Sequence, residues 1–233
     1  MSGENKNNKA VLSIVGIALA VMLPLVAVMV FKYKEKDRVT VKFPRFYFPI
    51  GLDTVAENTG KIRIDTIYRT IKPYTFTTQD GQIFKSESLK GSLYVAEFFF
   101  ASCPGICPKM NENMKKIQKE FLNDDNVKMI SFTIDPERDS IPALKEYATS
   151  MGAIPGKWTF LRGDKQATFD LGRNEFGLTT QQGDAGAGDF EHSDKFVLVD
   201  GEGHVRGYYN GTDSLSMNNL MGDIILILSR QKR

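Results

Sequence analysis

The sequence predicts an α/β domain behind one membrane-spanning helix. Three observations carry that expectation: a charge-free apolar run at residues 10–31, alternating strand-like and helix-like segments from about residue 92 onward, and a closing strand pair followed by an amphipathic helix. The run AVLSIVGIALAVMLPLVAVMVF, 22 residues long, spans roughly 30 Å of hydrocarbon at about 1.5 Å per residue. A cleavable signal peptide has a shorter apolar core and a small-residue cleavage site, whereas KYKEKDR follows here. The segment reads as an uncleaved anchor, with residues 1–9 as a tail, 32–60 as a juxtamembrane linker and 61–233 as one domain. Lys6 and Lys9 precede the run while Lys32, Lys34, Lys36, Arg38 and Lys42 follow it, a count that taken alone favours a cytoplasmic domain.

Within the linker, FPRFYFP at 43–49 either lies at headgroup level or packs on the domain. PYTFTTQDGQIF, residues 73–84, alternates around Asp80-Gly81 and predicts a hairpin. SLYVAEFFF at 92–100 is nearly continuous in apolar side chains, the pattern of a central strand buried on both faces. Met110, Met114, Ile117 and Phe121 then recur at helical spacing behind Pro108, a residue suited to the first turn. A second strand at 127–134, a turn and helix ending near Gly152, a short strand WTFL at 158–161 and a helix over 165–177 follow. The segment 179–191 is Gly-rich and irregular. KFVLVD and VRGYY flank Gly201-Glu202-Gly203 as an antiparallel pair, and Leu215, Leu220, Met221, Ile224, Ile225 and Leu228 form the apolar face of a last helix. A βαβ unit joined to a ββα unit is the layout of a thioredoxin-like domain.

Composition removes one class of function. The chain carries 30 basic against 28 acidic residues and no basic run interleaved with aromatics, so no nucleic-acid partner is expected. Both cysteines, Cys103 and Cys107, lie in FFFASCPGICPKM directly after the central strand. One disulfide, a metal pair or a redox couple all fit two cysteines so placed. Residues four apart on a helix have Cβ atoms about 5–6 Å apart, whereas a disulfide needs about 3.8 Å. Cys103 is therefore expected in the loop, bent by Pro104 and Gly105, and Cys107 at the helix entrance, where the helix dipole favours its thiolate. A three-residue spacer lets both sulfurs face a common ligand, and two soft thiolates suit Cu(I).

A third ligand has to come from one of two histidines. His192 stands between the Gly-rich loop and a strand, on a segment able to fold over the cysteines. His204 lies in the turn GEGH, where a solvated surface residue is expected. A four-ligand structural zinc site is disfavoured with three ligands in sight, and no peroxidatic thiol motif is present.

CPGICP, DPERDS, WTFLRG and EHSDKFVLVDGEGHV, in that order, resemble the Sco/SenC family over about residues 70–230. The resemblance implies a thioredoxin-like fold and copper held by Cys103, Cys107 and His192. It implies work on the dinuclear copper centre of cytochrome c oxidase subunit II, by delivering copper or by reducing the cysteines that receive it. It also implies a bacterial inner-membrane protein whose domain faces the periplasm, against the Lys/Arg count. Asp135 in DPERD matches an acidic position near the family's copper site and acts on the ligands from behind, or else it is a turn aspartate before Pro136. Two functions stay open: a copper chaperone, and a membrane-anchored thiol-disulfide oxidoreductase needing no stored metal.

Overall fold

The computed structural model describes residues 20, 22–26, 29, 43–56, 62–103, 105–178 and 193–231. They fall into two units, Met1–Lys42 and Phe43–Arg233. In the first, the described positions are helical and exposed. Among the described residues no helix is long and apolar enough to cross a membrane, and most of the 10–31 run lies outside them.

The second unit is built on a seven-stranded sheet. Its strands are β3 (Thr75–Thr78), β4 (Ile83–Lys85), β5 (Leu93–Phe99), β6 (Val127–Thr133), β7 (Trp158–Arg162), β8 (Lys195–Val199) and β9 (Val205–Asn210), in the order β4-β3-β7-β6-β5-β8-β9. β5, β6 and β7 run parallel, while β8 returns antiparallel against β5 and pairs with β9. Every residue of central β5 is buried, as its apolar run requires.

Among the described residues of this unit, four helices cover the sheet: α1 (Cys107–Glu120), α2 (Ile141–Ser150), α3 (Lys165–Asp170) and α4 (Ser214–Gln231). One face of β5, with Leu93, Val95 and Phe99, packs under Met110, Met114 and Ile117 of α1, Leu144 of α2 and Leu220 and Ile224 of α4. The other face, with Tyr94, Ala96 and Phe98, meets an aromatic cluster of Tyr74, Phe76, Phe132 and Phe176. The helix expected over 165–177 is α3 followed by a turn of π-helix, Leu171–Glu175, that swings Phe176 into this cluster.

One feature of the linker region went unread in the sequence, and another resolves an alternative left open there. Residues Pro49–Ala56 and Ile62–Tyr68 form a separate antiparallel ribbon, β1 and β2. The aromatic run before it packs on the domain. Arg206 holds it by donating to the carbonyls of Pro44 (3.0 Å) and Arg45 (3.3 Å), with its guanidinium 3.9 Å from the Phe46 ring centre and 2.9 Å from Asp200. Arg230 lies 3.5 Å over Phe43. Phe48 adopts φ +60°, which turns its ring under Arg69 at 4.5 Å and against Gly177, where a Cβ would meet Phe48 Cζ at 2.2 Å.

Candidate functional site

The site begins where β5 ends. Beyond Phe99 the chain turns, Cys103 N–H donating to the Phe100 carbonyl at 3.1 Å, and helix α1 starts at Cys107 with Pro108 in its first turn. Cys103 therefore lies in the loop, half-buried, and Cys107 is buried at the helix entrance; both are free thiols. Ala101, Cys103, Ile106 and Tyr147 pack at the edge of the core above Phe99, whose ring stacks on Tyr147 at 5.3 Å.

The two thiols differ. Burial opposes ionisation of Cys103, but the Cys107 S–H bonded to its sulfur, and the backbone of Cys107, Gly105 and Ile106, hold its pKa below the ordinary thiol range. For Cys107 burial comes first, reinforced by that same hydrogen bond and by the charges of Cys103 and Glu97, and the thiol is pushed up to about 12. This corrects the expectation that the helix entrance favours the Cys107 thiolate. The backbone of Gly105, Ile106 and Cys107, where the loop enters the helix, closes on the Cys103 sulfur, so Cys103 rather than Cys107 collects these donors.

Glu97 lies under this pair, 1% exposed on the α1 side of β5. Its Oε1 accepts from Ser131 Oγ at 2.6 Å, and Ser131 Oγ accepts from Trp158 Nε1 at 2.8 Å. Oε2 has no hydrogen-bond partner among the described residues. Burial pushes the Glu97 carboxyl up to about 7, with the Ser131 bond opposing. An acid inside the run SLYVAEFFF was a visible signal that the sequence reading passed over.

The DPERD segment supports the loop through a different acid from the one singled out. Asp135 caps its own turn, its carbonyl accepting from Asp139 N–H at 2.9 Å and its carboxylate standing 3.7 Å from Arg138. Asp139, 2% exposed, is the residue whose carboxylate reaches the cysteine loop, accepting from Ala101 N–H at 3.1 Å and from the Thr133 hydroxyl. Spacing alone does not separate these two aspartates.

His192 lies outside the described residues, as do Pro104 and residues 179–191. Its described neighbours are at the cysteine end of the sheet. Ala96 pairs with Val197, so the start of β8 lies beside the end of β5. The Asp194 carbonyl accepts from Gly211 N–H at 2.6 Å, and the Gly211 carbonyl accepts from Asn113 of α1 at 2.7 Å. His204 is at the other end, bridged to Thr70, with the seven residues of β5, roughly 20 Å, in between. It is not a solvated turn residue: its side chain is 15% exposed, set edge-on to Phe46 and 3.4 Å from Asp200. Among the described residues no three His, Cys, Asp or Glu side chains gather to hold a metal, so the two sulfurs are the described part of the expected ligand set. They converge on one hydrogen bond, and two converging soft donors fit Cu(I).

The SCO1/SenC family model matches residues 65–225, which takes in the seven-stranded sheet, the cysteine loop, helices α1 to α3 and most of α4. The chain belongs to the SCO1/SenC family. The SCO1 protein homolog of Bacillus subtilis is 32% identical over 165 residues, 69% of this chain and 83% of its own length. Among solved structures, BsSco, described with a disulfide switch as a member of the Sco family of cytochrome c oxidase assembly proteins, is 30% identical. Its TM-score is 0.57 over 66% of this chain and 91% of that one. Copper-bound yeast Sco1 shares the fold at 21% identity, with TM-score 0.52 over 66% of this chain and 88% of that one. This SCO1/SenC chain thus has the thioredoxin-like α/β fold of its relatives.

Proposed function

We propose that this protein is a copper-handling assembly factor for cytochrome c oxidase, taking copper as cargo on Cys103, Cys107 and His192 and passing it to the dinuclear copper centre of subunit II. The observation that carries this reading is the pair of free, hydrogen-bonded sulfurs at the start of α1, one half-exposed and one buried. Copper in the yeast structure and oxidase assembly in the description of BsSco support it. The Cys103 thiolate, held by the backbone of Gly105, Ile106 and Cys107, is the point of entry for the ion. Cys107 follows once its proton leaves, and His192 completes the set from the loop beside Asp194. Asp139 keeps the loop in place through Ala101, and Asp135 steadies the turn behind it. Residues 10–31 anchor the chain in the bacterial inner membrane, 32–60 link it to the domain of 61–233, and the domain faces the periplasm despite the Lys/Arg count.

Copper titration tests the site. Cys103→Ala and Cys107→Ala are each expected to lose stoichiometric Cu(I), and retention of one equivalent by either variant contradicts the assignment.

The inequality of the thiols favours a second reading, thiol-disulfide exchange with the acceptor. The Cys103 thiolate attacks a disulfide of the partner and releases one partner thiolate. Cys107 then loses its proton and attacks Cys103, forming the Cys103–Cys107 disulfide and releasing the second partner thiol; two electrons pass to the partner. In this reading His192 serves thiol chemistry and no metal.

A further inference from the structure

The β1–β2 ribbon carries an apolar face that no described residue of its unit covers. Antiparallel pairing sets Leu52 opposite Thr66 and Thr54 opposite Ile64, and Ile62 lies two residues from Ile64, so all five share one side. Leu52, Ile62 and Ile64 are 71, 73 and 65% exposed, and this side holds no charge. The other side carries Asp53, Arg63 and Asp65, with Arg63 and Asp65 paired at 2.7 Å. A lone two-stranded ribbon is marginal in water, and an exposed apolar face of this kind marks a contact with something else.

Three observations favour a lipid surface. The exposed part of the face is aliphatic and threonine; Tyr68, at its end, is partly buried and stacked on Phe46 at 4.9 Å, so no exposed Trp, Tyr or Arg anchor of the kind that concentrates binding energy in protein interfaces is offered, and the face needs only a non-directional apolar medium. Residues 32–42 connect the end of the apolar run to Phe43, a tether of eleven residues reaching at most roughly 40 Å. That tether holds Lys32, Lys34, Lys36, Arg38 and Lys42 against Glu35 and Asp37, so it is drawn to anionic headgroups.

We propose that the Leu52–Ile62–Ile64 face of the ribbon lies on the headgroup–acyl boundary of the membrane that residues 10–31 cross; this rests on the reading of those residues as an anchor. The ribbon lies flat and shallow, because its unpaired strand edges need the hydrated headgroup layer.

The full-length chain, reconstituted in vesicles of phosphatidylcholine and phosphatidylglycerol with and without brominated acyl chains, tests this. Trp158 is fully buried and gives a constant background. Ile64→Trp is expected to emit blue-shifted light and to lose at least half of the added emission to bromine, while Arg63→Trp, on the opposite side, emits as in water and is not quenched. Leu52→Trp is a second reporter on the same face in case Ile64→Trp folds poorly, and it is expected to behave as Ile64→Trp does. Red, unquenched emission from the same-face reporters overturns the proposal. So does blue emission that bromine leaves untouched, which assigns the face to a protein, a second copy included. Flotation is followed in parallel: a chain that does not float with the vesicles defeats the anchor reading and the proposal together, whereas a floating chain with unquenched reporters defeats the proposal alone.

Discussion

At the scale of single residues, two chemically identical side chains are made unequal by their surroundings. Cys103 gathers the donors of the helix start, and Cys107 is buried against Phe100 and above Glu97. At pH 7 an alkylating reagent followed by mass spectrometry is therefore expected to label Cys103 many times faster than Cys107. With a pKa of about 12, Cys107 labelling keeps climbing to higher pH than Cys103 labelling, whose thiol lies below the ordinary range. Equal rates at pH 7 contradict the asymmetry. Glu97 gives a second titration. Its carboxyl is raised from the ordinary 4.5 to about 7 by burial, so the folded state favours the proton. The stabilisation of the neutral form is complete below about pH 4.5 and is lost as pH rises through about 7, a change of roughly 3 kcal/mol. Glu97→Gln keeps the Ser131 bond and is expected to flatten that fall in urea midpoints between pH 5 and pH 8; an unchanged slope removes Glu97 as its source. None of this asymmetry was legible in CPGICP, where helix-dipole reasoning pointed to the wrong sulfur, because it depends on how the loop folds back over the first turn.

At the scale of elements, β5 and α1 were legible because each obeys one period strongly. The apolar run fills both faces of a central strand, and Met110, Met114, Ile117 and Phe121 all reach the core below α1. The β1–β2 ribbon left a short period-two signal in Ile62-Arg63-Ile64-Asp65 that went unread, because no buried face confirms it, and the π turn at Leu171–Glu175 looks like ordinary helix in sequence. The turn DPERD was legible as a turn but not as a support. Asp139→Ala leaves Ala101 N–H and the Thr133 hydroxyl without their acceptor and is expected to cost about 2–4 kcal/mol, with faster alkylation of Cys103 as the loop loosens. Asp135→Ala removes one contact with a largely exposed Arg138 and is expected to cost less than about 1 kcal/mol. Urea unfolding of the two variants side by side checks the order, and a larger loss for Asp135→Ala reverses the assignment of these acids.

At the scale of the whole molecule, one topology separates the ends of the sheet. The antiparallel return of β8 against β5 brings Ser193 and Asp194 to the end where β5 delivers the cysteines. The same return carries His204 to the far end, where it meets Phe46 and Asp200 beside the aromatic strap. Strand order thus supports the proposed choice of His192 over His204, and in that proposal the choice between copper transfer and thiol reduction turns on what His192 does. The measurement that tests this most directly is Cu(II) titration of the full-length protein, read by thiolate-to-copper absorption. His192→Ala is predicted to abolish that band and to weaken Cu(II) binding severely, because Cu(II) prefers nitrogen in a tetragonal field, while Cu(I) binding and the Cys103–Cys107 disulfide survive. His204→Ala is predicted to leave every signal in place. A His192→Ala protein that keeps the band and both copper affinities but exchanges disulfides at an altered rate contradicts the copper reading and makes the histidine a base for thiol chemistry.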